Sequence, residues 1–316
     1  MHKALDSQIS FSVIIPTLNG AHQLRELLAA LTIQTIQPRE ILILDSESDD
    51  KTREVASEYE TKIITIKRET FDHGSTRSFG AGIAETDILV YFTQDALPAN
   101  RMVLENLVDP LVEDQEIAMS YGRQLPAFDA DEISRHLRLF NYGSLSYTRS
   151  YEDRIHYGFS TIFVSNSCAA YRKSTLLEIG SFQENLIFGE DSSAAAAFLK
   201  KGYKVAYRAE SEVYHSHNYT ISEEFTRYFD IGVFHASQKK LLEDFGSSEK
   251  RGMQYLKSGL SYLRKRGRYG LMAEFVVRIA CKLTGYRLGK QYQQLPRSVA
   301  SRCSMNRKWW MKPANN

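Results

Sequence analysis

From residue 11 the chain alternates short, nearly continuous apolar runs with segments whose apolar positions recur at helical spacing. The first run, Phe11 to Pro16 (FSVIIP), is rich in β-branched residues. Thr17-Leu18-Asn19-Gly20 then turns into a helix marked by Leu24, Leu27, Leu28 and Leu31. Pro38 precedes a second run, Ile41 to Leu44, which ends at Asp45. Polar, cap-rich Ser46 to Thr52 leads to a helical pattern over Arg53 to Tyr59, and a third run covers Lys62 to Ile66. This β-α-β-α-β order, with strands apolar on both faces, predicts an α/β fold whose parallel sheet is covered by helices on each side. Ligands in such sheets bind beyond the strands' carboxyl ends, so the loops after Ile15 and Leu44 are the first candidates for function.

Further on, Ser75 to Ala84 has a helical pattern and Asp87 to Phe92 (DILVYF) reads as a fourth strand, with Thr93-Gln94-Asp95-Ala96 directly at its end. Leu97-Pro98 is expected to open another helix. Tyr121 to Ser165 is irregular and aromatic, and only a strand near Gly122 to Leu125 is expected within a loop-rich lobe. Beyond it come a strand over Ser165 to Tyr171, a short helix over Lys173 to Ile179, an Ala-rich helix over Ser192 to Lys200 and a strand over Lys204 to Ala209.

With 316 residues, 43% hydrophobic and 25% charged, the chain is too apolar to be disordered as a whole. Its net charge of +2 conceals an asymmetry: Ser247 to Asn316 holds 16 Lys/Arg against Glu249 and Glu274, a balance of +14, and the preceding residues carry −12. A basic tail on an acidic body implies an anionic partner. Cys168, Cys281 and Cys303 are too far apart for a CxxC metal site and too few for a disulfide framework, which fits a reducing cytoplasm. Met1 to Ser10 has no apolar secretion signal, and the longest uncharged run, Tyr157 to Tyr171, is shorter than the roughly 20 residues that span a bilayer. The expectation is a protein neither secreted nor integral to a membrane.

Several polar residues sit where chemistry is expected. Asp45 and Asp49 bracket the end of the second strand, where a carboxylate can accept from a base N–H or a ribose hydroxyl. Asp95 follows the fourth strand and suits Mg²⁺ or Mn²⁺, which take oxygen ligands and share them with phosphates. Glu190 and Asp191, in Gly189-Glu190-Asp191-Ser192, lie at a helix start that favours negative charge, and an ionised Asp over a cleft can act as a general base. His215 and His217 in VYHSHNY point to opposite faces if their segment is extended, so only one is expected to be a ligand.

The order VIIPTLN, ILDSESDD, QDA, GEDS and VYHSH, spread over Phe11 to Tyr219, resembles the inverting glycosyltransferases of family 2, which have the GT-A fold. Within that family Phe71 to Ala96 resembles bacterial rhamnosyltransferases that build O-antigen and related polysaccharides. The resemblance implies that Pro16, Thr17 and Asn19 line a nucleotide pocket, with Asp45 on the pyrimidine base and Arg77 on the donor phosphate or base. Gln94 joins this nucleotide-sugar set. Asp95 matches the last acid of the DxD motif, and His215 matches a histidine that completes a Mg²⁺ or Mn²⁺ site. Thr93 stands where DxD begins, which leaves more of the metal to Asp95. Asp191 matches the general base, with Glu190 its alternate or partner.

The resemblance further implies transfer of a sugar, L-rhamnose from dTDP-rhamnose, to a polyprenyl-diphosphate-linked saccharide at the inner face of the cytoplasmic membrane. A UDP-sugar is the alternative donor. The division expected is a GT-A domain over residues 1–220 and a helical, basic region over 221–316. In the latter, Leu271, Met272, Phe275, Val276, Ile279 and Leu283 share one helical face, with Arg278 and Lys282 towards the other, and Arg307-Lys308-Trp309-Trp310 adds interfacial aromatics. This pattern suits an anionic membrane surface. A nucleotidyltransferase would need a Gly-rich, basic triphosphate loop that VIIPTLNGAHQ lacks. A nucleic-acid module would interleave more aromatics with its arginines, so no nucleic-acid partner is expected.

Overall fold

The computed structural model describes residues 10–246 and 249–311; the secretion-signal reading of the first nine residues and the tail's Lys312 lie outside them. Strands β1 (Phe11–Thr17), β2 (Glu40–Asp45), β3 (Lys62–Thr65), β4 (Ile88–Phe92), β5 (Leu97–Pro98), β6 (Ile117–Leu125), β7 (Tyr147–Arg149), β8 (Cys168–Arg172) and β9 (Lys204–Tyr214) form one mixed sheet. Its order is β3-β2-β1-β4-β8-β6-β9-β5, with β7 on β9.

The N-terminal half, β3-β2-β1-β4, is parallel. Strand β8 then runs antiparallel between β4 and β6, and β9 runs parallel to β6. One sheet edge therefore gathers the carboxyl ends of β1, β2, β4 and β9 together with the start of β8. Successive strand residues serve two cores. Ile14, Leu42, Leu44, Leu89 and Tyr91 face one. Val13, Ile15, Ile43, Val90 and Phe92 face the other, beneath the Ala21–Thr32 and Val103–Glu113 helices.

Four sequence expectations shift. Leu97-Pro98 opens no helix: it is the edge strand β5, paired antiparallel with Val213 and Tyr214, and the helix starts at Val103. Pro98 tolerates this place because an edge position can do without its missing N–H. Strand β9 runs past Ala209 through Glu210-Ser211-Glu212, since a register shift at Gly122/Arg123 lets Arg123 meet Glu212 at 2.9 Å. The segment before Cys168 is loop rather than strand, and the Ala-rich helix begins at Glu190, so both acids lie in its first turn.

After residue 220, Phe229, Val233, Phe234 and Trp310 join the sheet's own core, while Tyr255, Leu263 and Phe275 form a separate cluster with Ile133 of the Glu132–Asn141 helix. A reciprocal Thr220/Glu223 capping box starts the Ile221–Ser237 helix, which buries Phe229, Val233 and Phe234. The Tyr269–Lys290 helix crosses it so closely that a Cβ on Gly289 would lie 2.0 Å from the Phe229 carbonyl oxygen. The expected basic outer face is overturned. Arg278 and Lys282 are buried, because Glu224 on the crossing helix holds Lys282 at 3.0 Å and Arg278 at 3.4 Å. Trp310 is buried against Phe229 and Tyr292, and Trp309 donates its indole N–H to the Asn185 carbonyl at 2.8 Å. Asp230 fastens this last segment, accepting from Ser304 Oγ at 2.6 Å and from the Met305 and Asn306 N–H groups.

Candidate active site

At the gathered edge, Asp95 lies beside two imidazoles. His215 Nε2 is 3.4 Å from Asp95 Oδ1 and His217 Nε2 is 3.9 Å from Oδ2. The opposite-face expectation fails because β9 ends at Tyr214, leaving residues 215–217 in a loop where the two rings meet edge to face at 4.9 Å. One oxygen and two nitrogen donors thus lie within 4.8 Å of one another.

The surroundings fit a cation. Gln124 donates its amide N–H to Ser165 Oγ at 2.9 Å, which turns its carbonyl oxygen to His215 Nδ1 at 3.1 Å. That oxygen only accepts, so Nδ1 carries a ring proton and Nε2 is the nitrogen turned to Asp95. Burial would raise the Asp95 pKa, but His215, Thr93 and His217 together hold it well below the usual carboxylate range. A carboxylate and two imidazole nitrogens directed at one point make a candidate seat for a divalent cation.

A second acidic centre forms around the start of the Glu190–Lys200 helix. Gly189, at φ +86°, makes the entry turn, where a Cβ would strike the Phe234 ring at 2.8 Å. Asp191 accepts from the Ser192 N–H at 2.7 Å and the Asn166 N–H at 3.2 Å. Burial, and after it the charge on Glu190, raise its pKa well above the ordinary carboxylate range. Glu190 is already engaged. It is buried, pairs with Arg77 at 2.8 Å and accepts from Asn166 Nδ2 at 3.1 Å. Burial opposes its ionisation, yet Arg77, His73 and Asn166 hold its pKa below the usual value.

Asn166 is in turn fixed by the Tyr171 hydroxyl, which donates to its Oδ1 at 2.6 Å. The loop of residues 165–167 therefore touches both centres: Ser165 supports Gln124 behind His215, and Asn166 holds Asp191 and Glu190. Sequence reasoning missed Gln124, Ser165, Asn166 and Tyr171 because they lie in the irregular lobe or in what reads as plain strand. The polar interruption SNS before β8 marks Ser165 and Asn166.

Arg77 sits elsewhere than expected for a donor-phosphate contact. It is buried, and its guanidinium bonds Glu190 and the His73 carbonyl. Asp45 is likewise fully buried, accepting from Thr17 Oγ1 at 3.1 Å, Ser48 Oγ at 2.6 Å and the Ser48 N–H at 3.0 Å. Its visible role is to tie the β1 and β2 loops together. Asn19, at φ +48°, accepts from the Asp49 N–H, and Gln94 bonds both backbone groups of Leu18, so the three loops after β1, β2 and β4 form one cross-linked rim beside Pro16. The β2 and β3 loops open on a cavity of about 980 Å³ whose walls include Glu47, Lys67, Arg68, Phe188, Arg227 and Trp309.

Residues 12–180 match the model of glycosyl transferase family 2, and the chain belongs to that family. It is 42% identical over 303 residues to the O-antigen chain rhamnosyltransferase WbaN of Salmonella anatum, spanning 95% of this chain and 96% of the relative. It is 40% identical to the O-antigen chain rhamnosyltransferase RfbN of Salmonella typhimurium, spanning 96% of each. Among solved structures, a mannosyltransferase from Pyrobaculum calidifontis in complex with GDP-Man and Mn²⁺ superposes with a TM-score of 0.57 at 17% identity, over 96% of this chain and 87% of that one. The shared fold is GT-A-like.

Proposed function

We propose that this glycosyltransferase moves L-rhamnose from dTDP-rhamnose, with inversion, to a polyprenyl-diphosphate-linked saccharide during synthesis of a cell-surface polysaccharide. It would work at the inner face of the cytoplasmic membrane. The sugar assignment rests on likeness to two O-antigen rhamnosyltransferases over nearly the whole chain. One observation carries the chemistry: Asp191 is the acid at the site with raised proton affinity, while Glu190 beside it is neutralised by Arg77.

In this reading Asp191 takes the proton of the acceptor hydroxyl as its oxygen bonds to the anomeric carbon. The bond from that carbon to the donor diphosphate breaks, and the nucleoside diphosphate departs from the opposite face. Asn166 and the Ser192 N–H hold the carboxylate in place, so little reorganisation accompanies the transfer. Asp95, His215 and His217 would hold Mn²⁺ or Mg²⁺, which when bound supplies Lewis-acid stabilisation of the leaving diphosphate. Pro16, Thr17, Asn19 and Gln94 form the nucleotide rim, Asp45 braces it, and Lys67 and Arg68 on the cavity wall take the phosphate role first expected of Arg77. In this reading residues 1–220 are the catalytic unit, and the described helices of 221–316 buttress it.

A panel of nucleotide sugars tests the substrate. Donor hydrolysis by the purified protein is expected with dTDP-rhamnose and not with UDP-glucose or GDP-mannose; preference for a UDP-sugar would overturn the assignment. The base makes a separate prediction. Asp191 accepts a proton only when ionised, so transfer should rise with pH through about 7 and fall below it. Glu190→Gln removes the adjacent negative charge, and the acidic limb should move down by about one unit or more. An unmoved limb would dissociate Glu190 from the base.

A further inference from the structure

The Tyr269–Lys290 helix is apolar on two sides, and only one is covered. Phe275 turns inward, while Tyr269, Val276, Val277 and Leu283 stand 65%, 48%, 50% and 42% exposed. Ala273, Ala280 and Thr284 complete this outward stripe, which runs through several turns without a carboxylate. Glu274 is the one acidic residue between Arg251 and Met311, and it is held by Arg278 at 2.7 Å.

Cations border the stripe. Arg264, Lys265, Arg266 and Arg268 are exposed just before it, and Arg287 and Lys290 are exposed at its end. Of these, Arg266 and Arg268 lie 3.6 and 3.9 Å from Glu132, long distances that leave most of the positive field uncompensated. None of the described helices is long and apolar enough to cross a membrane.

We infer that the outward stripe of the Tyr269–Lys290 helix, with the Arg264–Arg268 cluster, is the surface by which this protein docks on an anionic lipid membrane. This rests on the membrane-side reading above and names its face, which keeps Val276 and Leu283 of the sequence pattern and leaves out the buried Phe275. The apolar side chains enter the boundary between headgroups and acyl chains, and the flanking cations meet lipid phosphates. A second copy of the chain is disfavoured as occupant because it would bring the same positive charge against itself.

The test uses the full chain, vesicles of phosphatidylglycerol and phosphatidylcholine mixed, and vesicles of phosphatidylcholine alone. Wild type should co-sediment with the mixed vesicles, weakly with the neutral ones, and lose binding as salt rises. The double variant Val276→Asp/Leu283→Asp should keep its melting temperature and donor hydrolysis while its partitioning falls roughly tenfold or more. Arg264→Glu/Lys265→Glu should weaken binding to the mixed vesicles alone. Equal partitioning of wild type and both variants would overturn the face and leave the membrane reading standing. Failure of wild type itself to bind would overturn both. Self-association abolished by Val276→Asp/Leu283→Asp would assign the stripe to a second copy and overturn the inference.

Discussion

An Asp191→Asn enzyme is expected to bind its nucleotide sugar as tightly as wild type and to transfer the sugar roughly 10² to 10⁴ times more slowly, the usual weight of a general base. Asn keeps the shape of the side chain, and its amide oxygen can still accept from one of the Ser192 and Asn166 N–H groups, which bond separate oxygens of Asp191. What it cannot do is take the acceptor's proton. A purely structural Asp191 predicts the reverse, a stability loss of at most about 1 kcal/mol with nearly normal turnover, since Asn serves a helix start about as well as Asp. Melting temperature, nucleotide affinity and transfer rate measured on the same preparation separate the two. A stable variant that transfers sugar at near wild-type rate would remove Asp191 from the mechanism.

Replacing Asp95 by Ala should lower transfer to background even in saturating Mn²⁺, and EDTA should do the same to wild type. Asp95 is the only oxygen donor of the three-residue cluster found among the described residues, and Thr93 leaves it without the second carboxylate of a DxD pair. His215→Ala should be partly rescued by excess Mn²⁺. His217→Ala should behave similarly, because both rings reach Asp95. Gln124→Ala should weaken Mn²⁺ binding about 10- to 100-fold through loss of the support behind His215. Titration calorimetry with Mn²⁺ and dTDP reads this without relying on turnover. Full activity in EDTA, or Mn²⁺ affinity unchanged in Asp95→Ala, would refute the cation site.

The parallel half of the sheet was legible because its strands are short apolar runs punctuated by Pro38 and by polar turns, a pattern set by local chemistry and burial on both faces. Asp45, Asp95 and the Glu190-Asp191 pair were legible for the same reason, since strand and helix ends can be found along the chain. The positions of Leu97-Pro98 and of β9 beyond Ala209 were not. An edge strand of two residues and a polar strand extension exist only because a partner strand lies beside them.

The sequence by itself determined which residues stand at the ends of elements, and so which carboxylates and imidazoles reach the functional edge. Tertiary structure decided what each of them does there. Strand β8 runs against its neighbours, so its start, not its end, delivers Asn166 to Asp191 and Glu190. Arg77 and Glu190 are 113 residues apart yet share one buried pair, a contact that neither segment's local pattern records. Arg278 and Lys282 face inward for an equally non-local reason, the buried Glu224 on a helix that precedes theirs by some fifty residues in the chain. Periodicity reports which face of a helix is apolar, but a buried opposite charge can draw a cation into that face, and no local pattern records where that charge will be.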